Sequence, residues 1–196
     1  MISENFIYFG VFLNSIGSVV YITDTIKGTT QPNRVTYFLW ALSAMIAFAS
    51  QVSQGVGTQV LLSFIVGFWP LLVLISSFLN KKSYWKITKF DIACGVFSLL
   101  GLILWMVTKV GNLAIVFAIL ADTLASFPTI KKSFTDPESE RIWPYFFGAI
   151  FAGLVILTIK NWNFETYGYP FYILTMNIIL TTLIKFDFKK LLSQRS

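Results

Sequence analysis

The chain has 196 residues, of which 56% are apolar and only 12% charged, with a mean hydropathy of +0.71 and a formal net charge of +6. A soluble domain carries about a quarter charged residues, so this composition excludes a water-soluble core and points to a membrane. One cysteine, Cys94, rules out an internal disulfide, and the lack of any histidine removes the commonest metal ligand and the usual neutral-pH base, so neither a metal site, a cofactor nor an enzyme is expected.

Apolar stretches of near-spanning length predict seven helices, at about 5–26, 35–53, 59–79, 87–108, 112–130, 144–160 and 169–188. The first follows Met1-Ile2-Ser3-Glu4, which has no positive region before it and no small-residue cleavage site after it, so it reads as a retained helix and not a signal peptide. The second and third lie in a run of 46 residues, 35–80, without one charged side chain. At a rise of ~1.5 Å per residue that run is about twice the bilayer's hydrocarbon thickness. It must cross, turn at Gln54-Gly55-Val56-Gly57-Thr58, and cross again. The short loops distribute Lys and Arg unevenly: 13 of the 15 fall in the first, third and fifth loops and the tail, leaving Lys109 and Lys160 for the other side. The positive-inside rule then sets the amino terminus outside and the carboxyl terminus in the cytoplasm, of a bacterial cytoplasmic membrane. Trp85, Trp105, Trp143 and Trp162 sit beside loops and read as headgroup anchors, and the net charge is explained by topology and anionic lipid, with no nucleic acid needed.

The two ends of the chain resemble each other. Shifted by 105 positions, Lys27 falls on Lys132, Thr30 on Thr135 and Pro32 on Pro137; shifted by 100, Trp69-Pro70 falls on Tyr169-Pro170 and Leu74 on Leu174. Three crossings reverse the chain, so two like-oriented three-helix units need one helix between them. The expected fold class is an all-α membrane protein in which repeats 5–79 and 112–188 run parallel, joined by the inverter helix 87–108 and followed by a tail at 189–196.

Residues 21–33, YITDTIKGTTQPN, followed by Trp40, together with Phe127-Pro128-Thr129-Ile130-Lys131-Lys132, resemble the motifs of the SWEET, semiSWEET and PQ-loop superfamily. In that family a Pro-Gln pair ends the first helix of each repeat, a basic cytoplasmic loop follows, and a tryptophan often stands in the next helix. Here Pro128-Thr129 takes the place of the pair in the second repeat, and Gln31-Pro32 is the pair reversed and lies in a loop. The resemblance implies the 3+1+3 fold and a transporter plan with Asn177, midway along the last helix, binding substrate and Ser77 opposite it in the first repeat.

Counting inward from the helix ends places Asn14, Trp69, Ser77, Asp122 and Asn177 near one depth, as candidate substrate-binding residues of a shared central cavity. Asp122 is the most informative, because a carboxylate at the centre of a spanning helix costs at least ~2.5–3.5 kcal/mol and marks function by default. No cation lies at its depth, which favours the protonated acid and makes it a candidate for exchanging a proton. The alternative is an acid bonding two helices together, through Asn14 or its own neighbour Thr123. Pro70, Pro128 with Thr129, and Pro170 are candidate gates or hinges, since a helix proline frees a backbone carbonyl. Asp24 and Asp91 read as interfacial, and 136–141 as a solvated loop.

The expected function is alternating-access transport of a small neutral or weakly polar solute, sugar-like or similar, with the lipid bilayer as surroundings. Two alternatives stay open: an uptake channel like the nicotinamide riboside group, and a non-transporting receptor on the same fold. A retinal photoreceptor is rejected because no lysine lies midway along the seventh helix.

Overall fold

A computed structural model describes residues 2–82, 85–108 and 111–186. Within these the chain forms seven α-helices and no strand: α1 (Asn5–Lys27), α2 (Arg34–Ser53), α3 (Val60–Ser76), α4 (Lys89–Thr108), α5 (Gly111–Thr135), α6 (Ile142–Thr158) and α7 (Phe164–Phe186), with one 3-10 turn at Pro137–Ser139. By length and composition α1, α2 and α7 can each cross a bilayer, while α3 and α6 are apolar but shorter. Large apolar side chains such as Phe12, Phe78, Phe97, Val107 and Phe171 are exposed, while Asn14, Ser43, Gln51, Ser63 and Asp122 are buried. That inversion suits a lipid solvent.

Local chemistry accounts for most of the boundaries. Gly28 closes α1 with φ +80, a left-handed cap that a side chain disfavours. The Asn33 side chain accepts from the amides of Val35 and Thr36 and starts α2. Gly55, at φ +72, turns the chain between α2 and α3. Three helices depart from the expected spans. α5 runs on to Thr135, because Lys132, whose charge suggested an end, is buried and paired. α7 starts at Phe164, where the Asn163 carbonyl takes the Thr166 and Tyr167 amides. α3 stops at Ser76, where the Ser76 and Ser77 hydroxyls bond back to the Val73 and Leu74 carbonyls. Lys109, residues 187–188, the tail 189–196 and the Trp105 side chain lie outside the described residues.

Packing follows small residues. α1 lies on α6 and α3, α5 on α2, α4 and α7, α2 on α3, and α6 on α7. Along α1 the buried positions Ile7, Gly10, Asn14, Gly17 and Tyr21 recur every three or four residues, a stripe that faces one neighbour. At Gly10 an added Cβ would come within 2.4 Å of the Phe151 ring, and at Gly17 within 2.7 Å of the Trp143 carbonyl oxygen. Close backbone approach of this kind drives helix association in lipid.

The connections gather at two ends. At the basic end Arg34 donates to Ser77, Asn80 to the Ile26 carbonyl at 2.8 Å, and Arg141 pairs with Asp24 at 2.6 Å. At the far end Glu4 accepts from Thr58 at 2.8 Å and from Lys160 at 3.1 Å. Thr58 and then Lys160 hold the Glu4 carboxyl below the usual carboxylate range. Its contribution is therefore present above the ordinary carboxylate pKa and is lost as pH falls through the lowered value.

The stretch 136–141 is only partly solvated: Asp136 and Glu138 are exposed, but Ser139 and Glu140 are not. Glu140 is buried and meets buried Lys132 at 2.8 Å, and Lys132 also bonds the Gln31 and Ser139 carbonyls. The second oxygen of Glu140 takes the hydroxyls of Tyr21 at 2.8 Å and Tyr145 at 3.4 Å. Charge invited the solvated reading, and only the fold supplies the partners. Asp91 is likewise buried, on the Thr88 amide at 2.7 Å, and Trp85 lies beneath the Lys132 ammonium, 5.0 Å away, so it is more than a headgroup anchor. Removing one member of such a buried pair strands the other. Glu140→Ala is expected to lower unfolding free energy by about 3–5 kcal/mol, with most of it restored in a Lys132→Met, Glu140→Leu double variant, as read by reversible denaturation in micelles.

Candidate functional site

A cavity of about 100 Å³ lies among α1, α2, α3, α5, α6 and α7, on the basic-end side of mid-depth. This is room for several waters or a compact solute. Asn14, Trp69, Asp122 and Asn177 all line it, as does Pro70. Ser77 does not. It caps the end of α3, where its hydroxyl and carbonyl take the Arg34 guanidinium at 3.0 and 2.6 Å. The alignment that set it opposite Asn177 assumed equally long third helices, whereas α3 ends ten residues earlier in the register than α7.

Each polar group in the wall is held differently. Asp122 is 3% exposed, and its carboxylate accepts from the Ser43 hydroxyl of α2 at 2.5 Å. Neither Asn14 nor Thr123 is that partner: Thr123 bonds the Ile119 carbonyl of its own helix at 2.7 Å. One turn toward the basic end, Trp40 donates its indole N–H to Ser126 at 3.0 Å, and Ser126 donates to the Asp122 carbonyl at 2.8 Å. Asn177 donates to the Ile173 carbonyl at 2.9 Å, and its Oδ1 fills the space above Gly148, where a Cβ would stand 2.8 Å away. Any larger residue at 148 would displace the amide.

Two further groups stand out because they are unsatisfied. The indole N–H of Trp69 and the hydroxyl of Tyr169 are buried with no hydrogen-bond partner among the described residues. Both residues line the cavity, and each directly precedes a proline, Pro70 or Pro170. Buried polar groups are rarely left unbonded without a reason such as a ligand or water. Aromatic faces complete the wall: Tyr37 and Tyr145 flank Trp40 with ring centroids 5.3 and 6.4 Å away. No Lys or Arg lines the cavity among the described residues.

Pro128 and Pro170 are buried inside helices that continue through them, and the buried Thr129 hydroxyl has no partner. In the sequence Tyr21 and Trp40 stand out only as motif residues and Tyr169 only through the repeat, while Ser43, Tyr37 and Tyr145 carry no mark. For Tyr169 the signal was present, since the 100-residue shift sets it on Trp69. For Ser43, a small hydroxyl in an uncharged run, nothing in the sequence marks its partner. Comparison with protein-family models, curated proteins and solved structures finds no match.

Because neither unsatisfied group bonds to protein, Trp69→Phe and Tyr169→Phe should each change unfolding free energy by less than about 1 kcal/mol. Ser43→Ala, which strips a bond from a buried acid, should cost about 1–3 kcal/mol. Chemical unfolding of the three variants side by side checks the ordering.

Proposed function

We propose that the chain is a multi-pass membrane transporter that moves a small neutral or weakly polar solute by alternating access between two three-helix halves. The observation that carries this reading is the central cavity with unbonded donors contributed by both halves from matching positions, Trp69 on α3 and Tyr169 on α7. Pairing aromatic faces with amides and a carboxyl suits a compact solute bearing hydroxyl or carbonyl groups.

The packing supports two equivalent halves. Exchanging α1 with α5, α2 with α6 and α3 with α7 carries the neighbours of α1, α2 and α3 onto those of α5, α6 and α7, while α4, on α5 and α2, has no counterpart. That is the pattern of a 3+1+3 chain with α4 as inverter. It agrees with the resemblance to the SWEET and PQ-loop plan. The described basic residues other than Lys160 stand at or toward one end of the bundle, and we assign that end to the cytoplasm of a bacterial inner membrane. A second reading, uptake of a vitamin or nucleoside through a channel, is favoured by Trp40 and Trp69, whose faces suit a planar ring.

Thermal-shift screening of purified protein against sugars, nucleosides, vitamins and amino acids, followed by flux of the best ligand into proteoliposomes, tests the proposal. A ligand whose stabilisation is weakened in both Trp69→Phe and Tyr169→Phe is expected; ligands that act equally on all three proteins would overturn the site. In a proton-coupled carrier Asp122→Asn preserves folding and abolishes pH-dependent accumulation, whereas an uncoupled one leaves flux the same at every pH. Reporter fusions in the 80–86 loop should be cytoplasmic, and finding them outside would reverse the orientation.

A further inference from the structure

We propose that the seam between α2 and α5 is a hydrated proton path joining Asp122 to the basic end. This inference rests on the transporter reading and adds the route by which its central acid exchanges a proton.

Two hydrogen bonds fix the register of the antiparallel pair: Ser43 to Asp122 at 2.5 Å and Trp40 to Ser126 at 3.0 Å. Stepping on toward the basic end by three or four residues on each helix brings Thr36 level with Thr129 and Asn33 level with Ser133. Such steps stay on one helix face. Asn33, Thr36, Ser43, Asp122, Ser126, Thr129 and Ser133 are all buried, so the row lies inside the protein and not against lipid. The two inner rungs bond each other. In the two outer rungs the Asn33 Nδ2 and the hydroxyls of Thr36, Thr129 and Ser133 have no partner among the described residues. Four unsatisfied polar groups concentrated in one short seam need a ligand, and water is the one small enough to lie between packed helices while offering several bonds.

The cavity gives no such route on this side. Its basic-end floor is the network of Tyr21, Tyr37 and Tyr145 on Glu140, backed by Lys132. The seam runs beside that floor and ends near the Gln31 carbonyl that Lys132 holds. In the transfer, hydronium at the basic end gives up a proton, each water or hydroxyl oxygen accepts one and releases another, and the Asp122 carboxylate gains one O–H bond; no electron is transferred. Tyr169 and Tyr172 of α7 are the titratable groups facing Asp122. Lys132 of α5 and Glu140 beside the 3-10 turn face the basic end of the seam, and on α4 Asp91 is engaged by Thr88.

The test uses the full-length protein in nanodiscs moved from H2O to D2O, following the infrared carbonyl stretch that Asp122→Asn removes. In the wild type the band should shift promptly. A Thr36→Val, Thr129→Val double variant should slow the shift about tenfold or more, since each lost hydroxyl breaks the chain. Serine at both positions should restore the rate, and Thr175→Val, on the exposed face of α7, should leave it unchanged. If the double valine variant does not fold, Ser133→Ala serves the same purpose. An unchanged rate in the valine or alanine variant, equal slowing by Thr175→Val, or a wild type with no Asp122-dependent band at any pH would each overturn the proposal. Solute flux does not enter the readout, so failure here leaves the carrier reading standing, and failure of the carrier reading leaves this result interpretable.

Discussion

The structure depends on the burial of polar side chains at helix crossings, inside a shell of exposed apolar ones. In water those groups would be solvated and the apolar ones hidden; in hydrocarbon each polar group must find a partner within the protein. The two crossings, α1 on α6 and α2 on α5, meet this demand differently. The first is close-packed through Gly10 and Gly17. The second is polar, with Ser43 on Asp122 and Trp40 on Ser126. One crossing is tight, the other bonded and partly unsatisfied.

The interior is also divided along its depth. Toward the far end Ile7, Ala47, Leu62, Ile115, Val155 and their neighbours form one apolar core. Toward the basic end Tyr21, Tyr37 and Tyr145 meet the buried Lys132–Glu140 pair. The cavity lies between these layers. An apolar layer parts at the cost of its own contacts alone, whereas a buried ion pair and its tyrosines separate only when water or another partner replaces each bond. The two layers therefore differ in kind: one is held by apolar contact, the other by buried charge.

Both ends are tied by bonds between residues distant in the chain. Glu140 takes the Tyr21 hydroxyl; Lys132 holds the Gln31 carbonyl; Arg141 holds Asp24. These bonds lie side by side, so the basic end acts as one unit. The far end has its own cross-tie in Glu4, which takes Thr58 and Lys160.

Hydropathy and glycine position act locally, so the chain can be read as helical and apolar outside, with its turns and the distribution of its cations, before any packing is known. The sequence also singled out Asn14, Trp69, Asp122 and Asn177, since polar groups far from both helix ends have few places to go. Only the tertiary structure decided their partners. Ser43 and not Thr123 bonds Asp122; Ser77 belongs to Arg34 at the helix end; Glu140, on a charged stretch that reads as solvated, is the buried counter-ion of Lys132. Two of these three pairings join residues 79 and 43 positions apart. Which hydroxyl meets which acid is set by helix packing and register, and no local pattern carries that information.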